Sequence, residues 1–356
     1  MATEFLSFVS NLVGAVTVPP LPPAADMPGL PIGEMNSLNP AGPAAQEISR
    51  LWDILLWVSV AIGVLVVGGL FAALRRAREN ERELAAEPLE APKKGEQAVM
   101  WLGANVPALI LAVVFGFTVR TLNVLAGPPP REDALTLQVV GHQYWWEFRY
   151  LRPGETGEAA VITANELQLP VGQRIRVELT ASDVIHSFWV PALAGKMDTI
   201  PGQTNEFWIQ ADKEGLYRGI CAEFCGTQHA NMHFLARAVP ANDFEQWLTA
   251  QAADAADVDG DDLAVRGRQL FNQRGCAACH NVRGHTTQNL VNNVGPDLTH
   301  FASRETIAAG MRPNTRGHLS GWVLNAQGVK PGNLMPPVNL SGEELDAMLA
   351  YLEALR

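Results

Sequence analysis

The stretch Cys221-Ala222-Glu223-Phe224-Cys225-Gly226-Thr227-Gln228-His229-Ala230-Asn231-Met232 places two thiols, an imidazole and a thioether within one short segment, and a second imidazole, His186, lies upstream. These are soft or borderline donors, so the set favours copper or zinc over magnesium or calcium, which require hard oxygen ligands. Zinc would be satisfied by His186, Cys221, Cys225 and His229 and would leave Met232 unused. A single blue copper needs only one of the thiols. Two coppers that share both thiolates, each holding one histidine, use the whole set. In that reading Met232 is a weak ligand to one copper and a backbone carbonyl of the Cys-to-Cys loop serves the other. A Cys221–Cys225 disulfide beside incidental histidines is the structural alternative.

Around this segment the pattern is that of short strands. Arg174-Ile175-Arg176-Val177-Glu178-Leu179 alternates polar and apolar residues, as a half-buried strand does. Leu137–Tyr150, Ala159–Thr163, Glu206–Gln210, Leu216–Cys221 and Phe234–Val239 read as further strands, with Gly- or Pro-bearing turns between some of them. Many short strands in one region predict a β-sandwich or a small Greek-key barrel. On such a scaffold Cys221–Met232 is a loop between the last two strands, and His186 is a loop residue near the same end. Gly141–Tyr150 carries five aromatic residues, Tyr144, Trp145, Trp146, Phe148 and Tyr150. Because neighbours on a strand point to opposite faces, some rings are expected in the core and others at an interface that admits electrons.

Working outward, the 356-residue chain has a net charge of -11, which argues against a nucleic-acid partner and suits a surface that steers a basic protein. Ile54–Leu74 is a run of 21 uncharged residues, long enough at about 1.5 Å per residue to cross a hydrocarbon layer of roughly 30 Å. Gln97–Val119 forms a second such run, and Trp52, Trp57 and Trp101 sit where interfacial aromatics belong. Asn105, close to Pro107, is expected to bond a neighbouring helix or the backbone group freed by the proline. The connection between the runs carries Arg75, Arg76, Arg78, Arg82, Lys93 and Lys94, whereas no base precedes Arg50. The positive-inside bias therefore puts the connection in the cytoplasm and both ends outside. A weak apolar run, Leu6–Val18, lacks the basic start of a secretory signal, and Pro19–Pro43 reads as an irregular exported arm.

Asp243–Asp262 has seven acids and no base and reads as a solvated linker, helical early on around Phe244 and Trp247. Beyond it, a short helix over Val265–Phe271 leads into Cys276-Ala277-Ala278-Cys279-His280. That spacing allows two thioether links to a porphyrin while the adjacent imidazole reaches the iron. Met335, stiffened by Pro336 and Pro337, is the expected sixth ligand, with Met311, His285, His300 and His318 as competitors. Gly295-Pro296-Asp297-Leu298 is expected to line the histidine side. Ser341 and Glu344 form a capping box at the head of a last helix, Ser341–Leu352. The division is thus an extracytoplasmic arm (1–48), a two-helix transmembrane hairpin (49–123), a β-sandwich or barrel metal domain (124–242), an acidic linker (243–262) and a haem domain (263–356).

As a set, His186, Cys221, Glu223, Cys225, His229 and Met232, the two membrane runs and the aromatic segment resemble subunit II of haem-copper cytochrome c oxidase. The haem-bearing extension resembles that of the caa3 type, which implies a cupredoxin-like copper A domain at 124–242 and an all-α cytochrome c domain at 263–356. The resemblance implies a binuclear copper A centre bridged by Cys221 and Cys225, with His186 and His229 on one copper each, Met232 axial and the Glu223 carbonyl on the other copper. It also implies a magnesium ion near the Glu223 carboxylate at the boundary with subunit I, and a loop at Lys196 and Asp198 beside that subunit. Cys276, Cys279, His280 and Met335 would hold one haem c, and Tyr144, Trp145 and Trp146 would line the electron route. Subunit I, subunit III and further subunits, a donor cytochrome or other high-potential donor, and the bilayer of a bacterial inner membrane are the implied partners. Departures from the family are Tyr144 in place of tryptophan, Gln203 in place of arginine, and Met100 near a glutamate position, with Glu96 one turn earlier. A copper A subunit of a nitric oxide reductase and a membrane-anchored electron carrier are the competing functions.

Overall fold

The computed structural model describes residues 31, 33–79, 93–127, 134–152, 161–286 and 294–356. The run Leu6–Val18, the proline-rich arm up to residue 30, Arg82 and the Lys93, Lys94 and Glu96 side chains lie outside the described residues.

Both apolar runs sit inside longer helices, α1 (Pro43–Glu79) and α2 (Lys93–Leu125). Among the described residues these two are long and apolar enough to cross a membrane, and their Val64, Leu65, Leu109 and Leu111 side chains are exposed. Such a surface is unfavourable in water and suits lipid, so the hairpin is a membrane anchor. Among the described residues, Asn105 bonds neither the neighbouring helix nor the carbonyl freed by Pro107. Its Nδ2 donates to the Trp101 carbonyl one turn back in its own helix, at 3.0 Å.

Ten strands build a sandwich: β1 (Thr136–His142), β2 (Trp145–Leu151), β3 (Val161–Ala164), β4 (Glu166–Pro170), β5 (Ile175–Ala181), β6 (His186–Trp189), β7 (Met197–Thr199), β8 (Asn205–Ile209), β9 (Gly215–Cys221) and β10 (Phe234–Val239). One sheet has the order β3-β2-β1-β5-β8 and the other β4-β10-β9-β6-β7. The expected single strand Leu137–Tyr150 is instead a hairpin, with Gln143 and Tyr144 between His142 and Trp145, which face each other across the pair. His186 is not in a loop: it opens β6, because Phe188 and Trp189 pair with Cys221 and Ile220 of β9.

Between the sheets, Trp146, Phe148, Phe188 and Phe234 form a cluster of edge-to-face and stacked rings, with centroid separations of 4.8 to 6.4 Å. Residues ahead of α1 are tied to this sandwich. The Glu34 amide donates to the Leu216 carbonyl at 2.8 Å, and a Cβ on Gly42 would fall 2.2 Å from the Gln210 carbonyl oxygen. The acidic segment begins as α3 (Ala241–Ala252), whose buried Phe244 and Leu248 close the end of the sandwich, with Trp247 edge-on to Tyr150 at 5.3 Å.

The C-terminal region comprises α4 (Asp262–Gln273), the two-residue pair β11 (Thr306–Ile307) and β12 (Arg312–Pro313), then α5 (Arg316–Leu324), α6 (Ala326–Val329) and α7 (Gly342–Ala354). Asp261 caps α4 by accepting from the Leu263 and Ala264 amides, and the Ser341–Glu344 capping box heads α7. Helices α4 and α7 meet where Gly267 lacks a Cβ, which would otherwise lie 2.0 Å from the Ala347 carbonyl oxygen.

Gly219 lies on β9 directly against the aromatic cluster, and a Cβ there would fall 1.9 Å from Phe234 Cζ. Gly219→Ala is expected to destabilise the protein by about 1–3 kcal/mol through overpacking. Thermal unfolding of the detergent-solubilised chain checks this; an unchanged midpoint would contradict the tightness of that contact.

Candidate functional site

Pairing of β6 with β9 brings His186 beside Cys221, with Nδ1 3.9 Å from Sγ. The loop from β9 to β10 folds back so that Cys225 Sγ lies 3.9 Å from Cys221 Sγ, 3.7 Å from His229 Nδ1 and 3.3 Å from Met232 Sδ. The Glu223 carbonyl oxygen turns in to 3.2 Å from Cys221 Sγ, while its carboxylate side chain is exposed. All six residues named from the sequence therefore converge. The ligand-bearing atoms of His186, Cys221 and Cys225 lie within 4.8 Å of one another, and neither cysteine is in a disulfide.

Surrounding groups hold these donors in place. Asp183 accepts from His186 Nε2–H at 2.8 Å, which aims the Nδ1 lone pair at the sulfurs. Gln143 Nε2 donates to the Cys225 carbonyl at 2.6 Å, and the Trp146 indole N–H donates to the Met232 carbonyl at 3.2 Å. Trp146 is also edge-on to His186 at 5.9 Å, so one core ring braces both ends of the donor set. The thiol pair is electrostatically unequal: its shared hydrogen bond holds Cys221 far below the usual thiol range, and the same contact, with burial, pushes Cys225 up. Two buried thiolates need positive charge between them, and soft metal ions supply it. Sequence reasoning missed Asp183 and Gln143. A carboxylate three residues before a ligating histidine was a usable signal for Asp183, whereas Gln143 offered none.

The second site is a cleft open to solvent, about 1390 Å³ with the solvent at its mouth included, whose lining includes Cys276, Cys279, His280 and Met335. Cys276–Ala278 forms a turn of 3-10 helix after the left-handed Gly275, which presents both thiols on one side. His280 Nδ1–H donates to the Pro296 carbonyl at 2.8 Å, leaving Nε2 free for a metal. Burial pushes this imidazole down and keeps it neutral. Gly295 allows the ring that position, since a Cβ would lie 2.6 Å from His280 Cε1. The Met335 loop is pinned by Asn333 Oδ1, which accepts from the Met335 amide at 2.7 Å, and by Gln327 Nε2, which donates to the Met335 carbonyl at 2.9 Å. The competitors are engaged elsewhere: His285 with Tyr351, His300 with the Ala253 carbonyl and His318 with Thr315, while Met311 is not in the lining. A flat macrocycle with vinyl groups and axial positions fits this space and donor set.

The two sites share a wall. Gln143, Tyr144 and Trp145 of the sandwich line the cavity. All five aromatic residues of the segment are buried in the sandwich core, and two of them, Tyr144 and Trp145, also face the cavity of the chain's own C-terminal region. Tyr144 spans the wall, its hydroxyl 3.3 Å from Thr227 Oγ1 and so close to the metal loop that a Cβ on Gly226 would fall 2.5 Å away. Trp145 stacks on His142 at 4.0 Å.

Comparison with known proteins matches the two domains that carry these sites. The family model of the cytochrome c oxidase subunit II periplasmic domain matches residues 151–239, and the cytochrome c model matches residues 264–356. Cytochrome c oxidase subunit 2 of Alkalihalophilus pseudofirmus is 34% identical over 332 residues, covering 91% of this chain and 92% of the relative. Its counterpart in Bacillus subtilis is 31% identical over 340 residues, covering 90% and 92%. Among solved structures, the periplasmic domain of subunit II of cytochrome oxidase from Bradyrhizobium japonicum is 34% identical, covering 33% of this chain and 94% of that chain with a TM-score of 0.31. The chain belongs to the cytochrome c oxidase subunit 2 family, as a member that carries a cytochrome c domain after its periplasmic domain.

Proposed function

We propose that this chain is the electron-input subunit of a terminal oxidase in a bacterial inner membrane. The observation that supports it best is the shared wall, in which Tyr144 lines the haem cavity and also abuts the loop of soft donors. When bound, haem c and binuclear copper A supply successive one-electron carriers from a donor cytochrome or other high-potential donor to subunit I, where oxygen is reduced to water and protons are pumped.

The chain's own residues then have distinct tasks. Cys276 and Cys279 would form the thioether links to haem c, and His280 and Met335 would hold its iron. Cys221 and Cys225 would hold two coppers between them, with His186, His229, Met232 and the Glu223 carbonyl supplying the remaining donors. Both sets of residues would hold electron carriers, and neither would bind substrate. Donors fixed by strands, by Asp183 and by Gln143 need little rearrangement when charge changes, which suits electron transfer. Tyr144 and Trp145, which line the haem cavity, and Trp146, which braces the donor set from the core, would form the route. The exposed Glu223 carboxylate is available for a magnesium ion at the boundary with subunit I, and subunit III and further subunits complete the assembly. The working domain division is an arm at 1–48, a hairpin at 49–123, the copper domain at 124–242, an acidic linker at 243–262 and the cytochrome at 263–356.

Metal counting with EPR on the purified oxidase tests this reading. Two coppers in a mixed-valence seven-line signal and one low-spin c haem per chain are expected, with turnover on oxygen; one zinc, or turnover on nitric oxide alone, would overturn it. Cys221→Ser is expected to abolish the copper signal and leave the haem intact. Asp183→Asn keeps the shape but weakens the hold on His186, and copper retention is expected to fall about 10–100-fold, as measured by chelator competition. Met335→Leu is expected to convert the haem to a high-spin form, read from its optical spectrum, with the copper count unchanged.

A further inference from the structure

Between the sandwich and the C-terminal domain, two charged side chains cross in opposite directions. Lys330, 2% exposed, belongs to the C-terminal domain, and its Nζ donates to the Tyr144 carbonyl at 2.7 Å and to the Ala308 carbonyl at 3.2 Å. Glu166, on β4, accepts from the Glu305 amide at 2.9 Å, the Thr306 amide at 2.8 Å and the Thr306 hydroxyl at 2.9 Å. Each thus binds backbone of the opposite domain, and separating the domains would strip both of those partners. Burial pushes the Lys330 pKa down to about 7, and in either protonation state Nζ carries hydrogens for both bonds.

The backbone at this contact is itself unusual. Ala308 and Ala309 have φ of 56° and 59°, and Gly310 follows at 74°. Two consecutive non-glycine residues in the left-handed region are uncommon and costly. Here they turn the Ala308 carbonyl to Lys330 and the Ala309 carbonyl to the His233 amide, at 3.0 Å. Gln228 Nε2, on the copper loop, donates to the Pro331 carbonyl at 2.8 Å, and Arg237 pairs with Glu305 at the rim.

We propose that Lys330 and Glu166 are docking anchors that hold the C-terminal domain on the sandwich as a standing complex, and that Lys330 is a positioning residue fixing Tyr144 between the haem cavity and the Cys225 loop. Docking stands on geometry alone, whereas its effect on electron transfer rests on the function proposed above. In this arrangement the segment 253–261 is a permanent strap, not an arm that swings the haem to and from copper with each electron. The effective concentration of one site for the other is then set by the anchors more than by the tether.

The test is hydrogen–deuterium exchange on the complete oxidase, with flash-initiated haem-to-copper electron transfer measured in the same preparations. Lys330→Met keeps the stem and removes the donor. Exchange at the His233 and Thr306 amides is expected to quicken at least tenfold and the first-order transfer rate to fall at least tenfold, while haem and copper spectra stay as in the wild type. Exposed Arg237→Glu guards against misfolding: it is expected to quicken the same amides, with Glu305→Arg in the double variant restoring them. Unchanged exchange in Lys330→Met and in Glu166→Gln would overturn the anchors, and faster exchange with an unchanged transfer rate would overturn the positioning role. If the wild type lacks the copper signal or the c haem, the function proposed above fails, and exchange at the same amides still decides the anchors.

Discussion

Everything at the soft-donor site depends on the register between β6 and β9. Phe188 stands opposite Cys221, and the Ala222 amide continues the ladder to the Ser187 carbonyl at 2.9 Å. This alignment puts His186 on the same face as the Cys221 thiol. Because side chains alternate along a strand, a slip of one residue would turn the imidazole to the opposite face. The register is held by the rings of Phe188, Phe234, Phe148 and Trp146, so the stability of an apolar core is converted into the placement of polar donors. Trp146 adds a direct tether through its bond to the Met232 carbonyl, at the far end of the loop.

The second constraint is the buried thiol pair. Desolvation and mutual repulsion make two neighbouring thiolates unfavourable without a cation, so this end of the sandwich is at odds with its own electrostatics until metal arrives. The surrounding hydrogen bonds all fix direction: Asp183 sets the His186 tautomer, Gln143 holds the Cys225 carbonyl, and the Glu223 carbonyl is turned inward. The donors are thus held by protein bonds of their own, a property that serves electron transfer better than it serves folding.

Much of this was legible in the sequence because soft donors at short spacing, apolar runs of membrane length and the CxxCH pattern each have few physical explanations. The ligand cluster, the two long helices, the Pro296 contact with His280 and the Ser341 cap follow from local composition. What was not legible depends on tertiary register. His186 was expected in a loop because β6 is only four residues long and carries no alternation of its own; it becomes a strand through its partners. The aromatic segment was expected to be one strand, yet it bends at Gln143 and Tyr144, which lack the Asn-Gly or Gly-Gly signature of a tight hairpin. Gln143 and Lys330 act through residues distant in sequence, and no spacing rule links them to the site, whereas Asp183 lies only three residues before His186.

The exposed side of the soft-donor loop decides where a metal ion can enter. The C-terminal domain sits over the Gln143–Tyr144 side of the donors, and the core closes off the side at Trp146. The Glu223–Phe224 turn stays open, where Phe224 is 74% exposed and leans edge-on to His229 at 5.7 Å. A metal ion coming from that flank would pass the Phe224 ring before reaching sulfur, so this ring is the outer cover of the donor set on this chain.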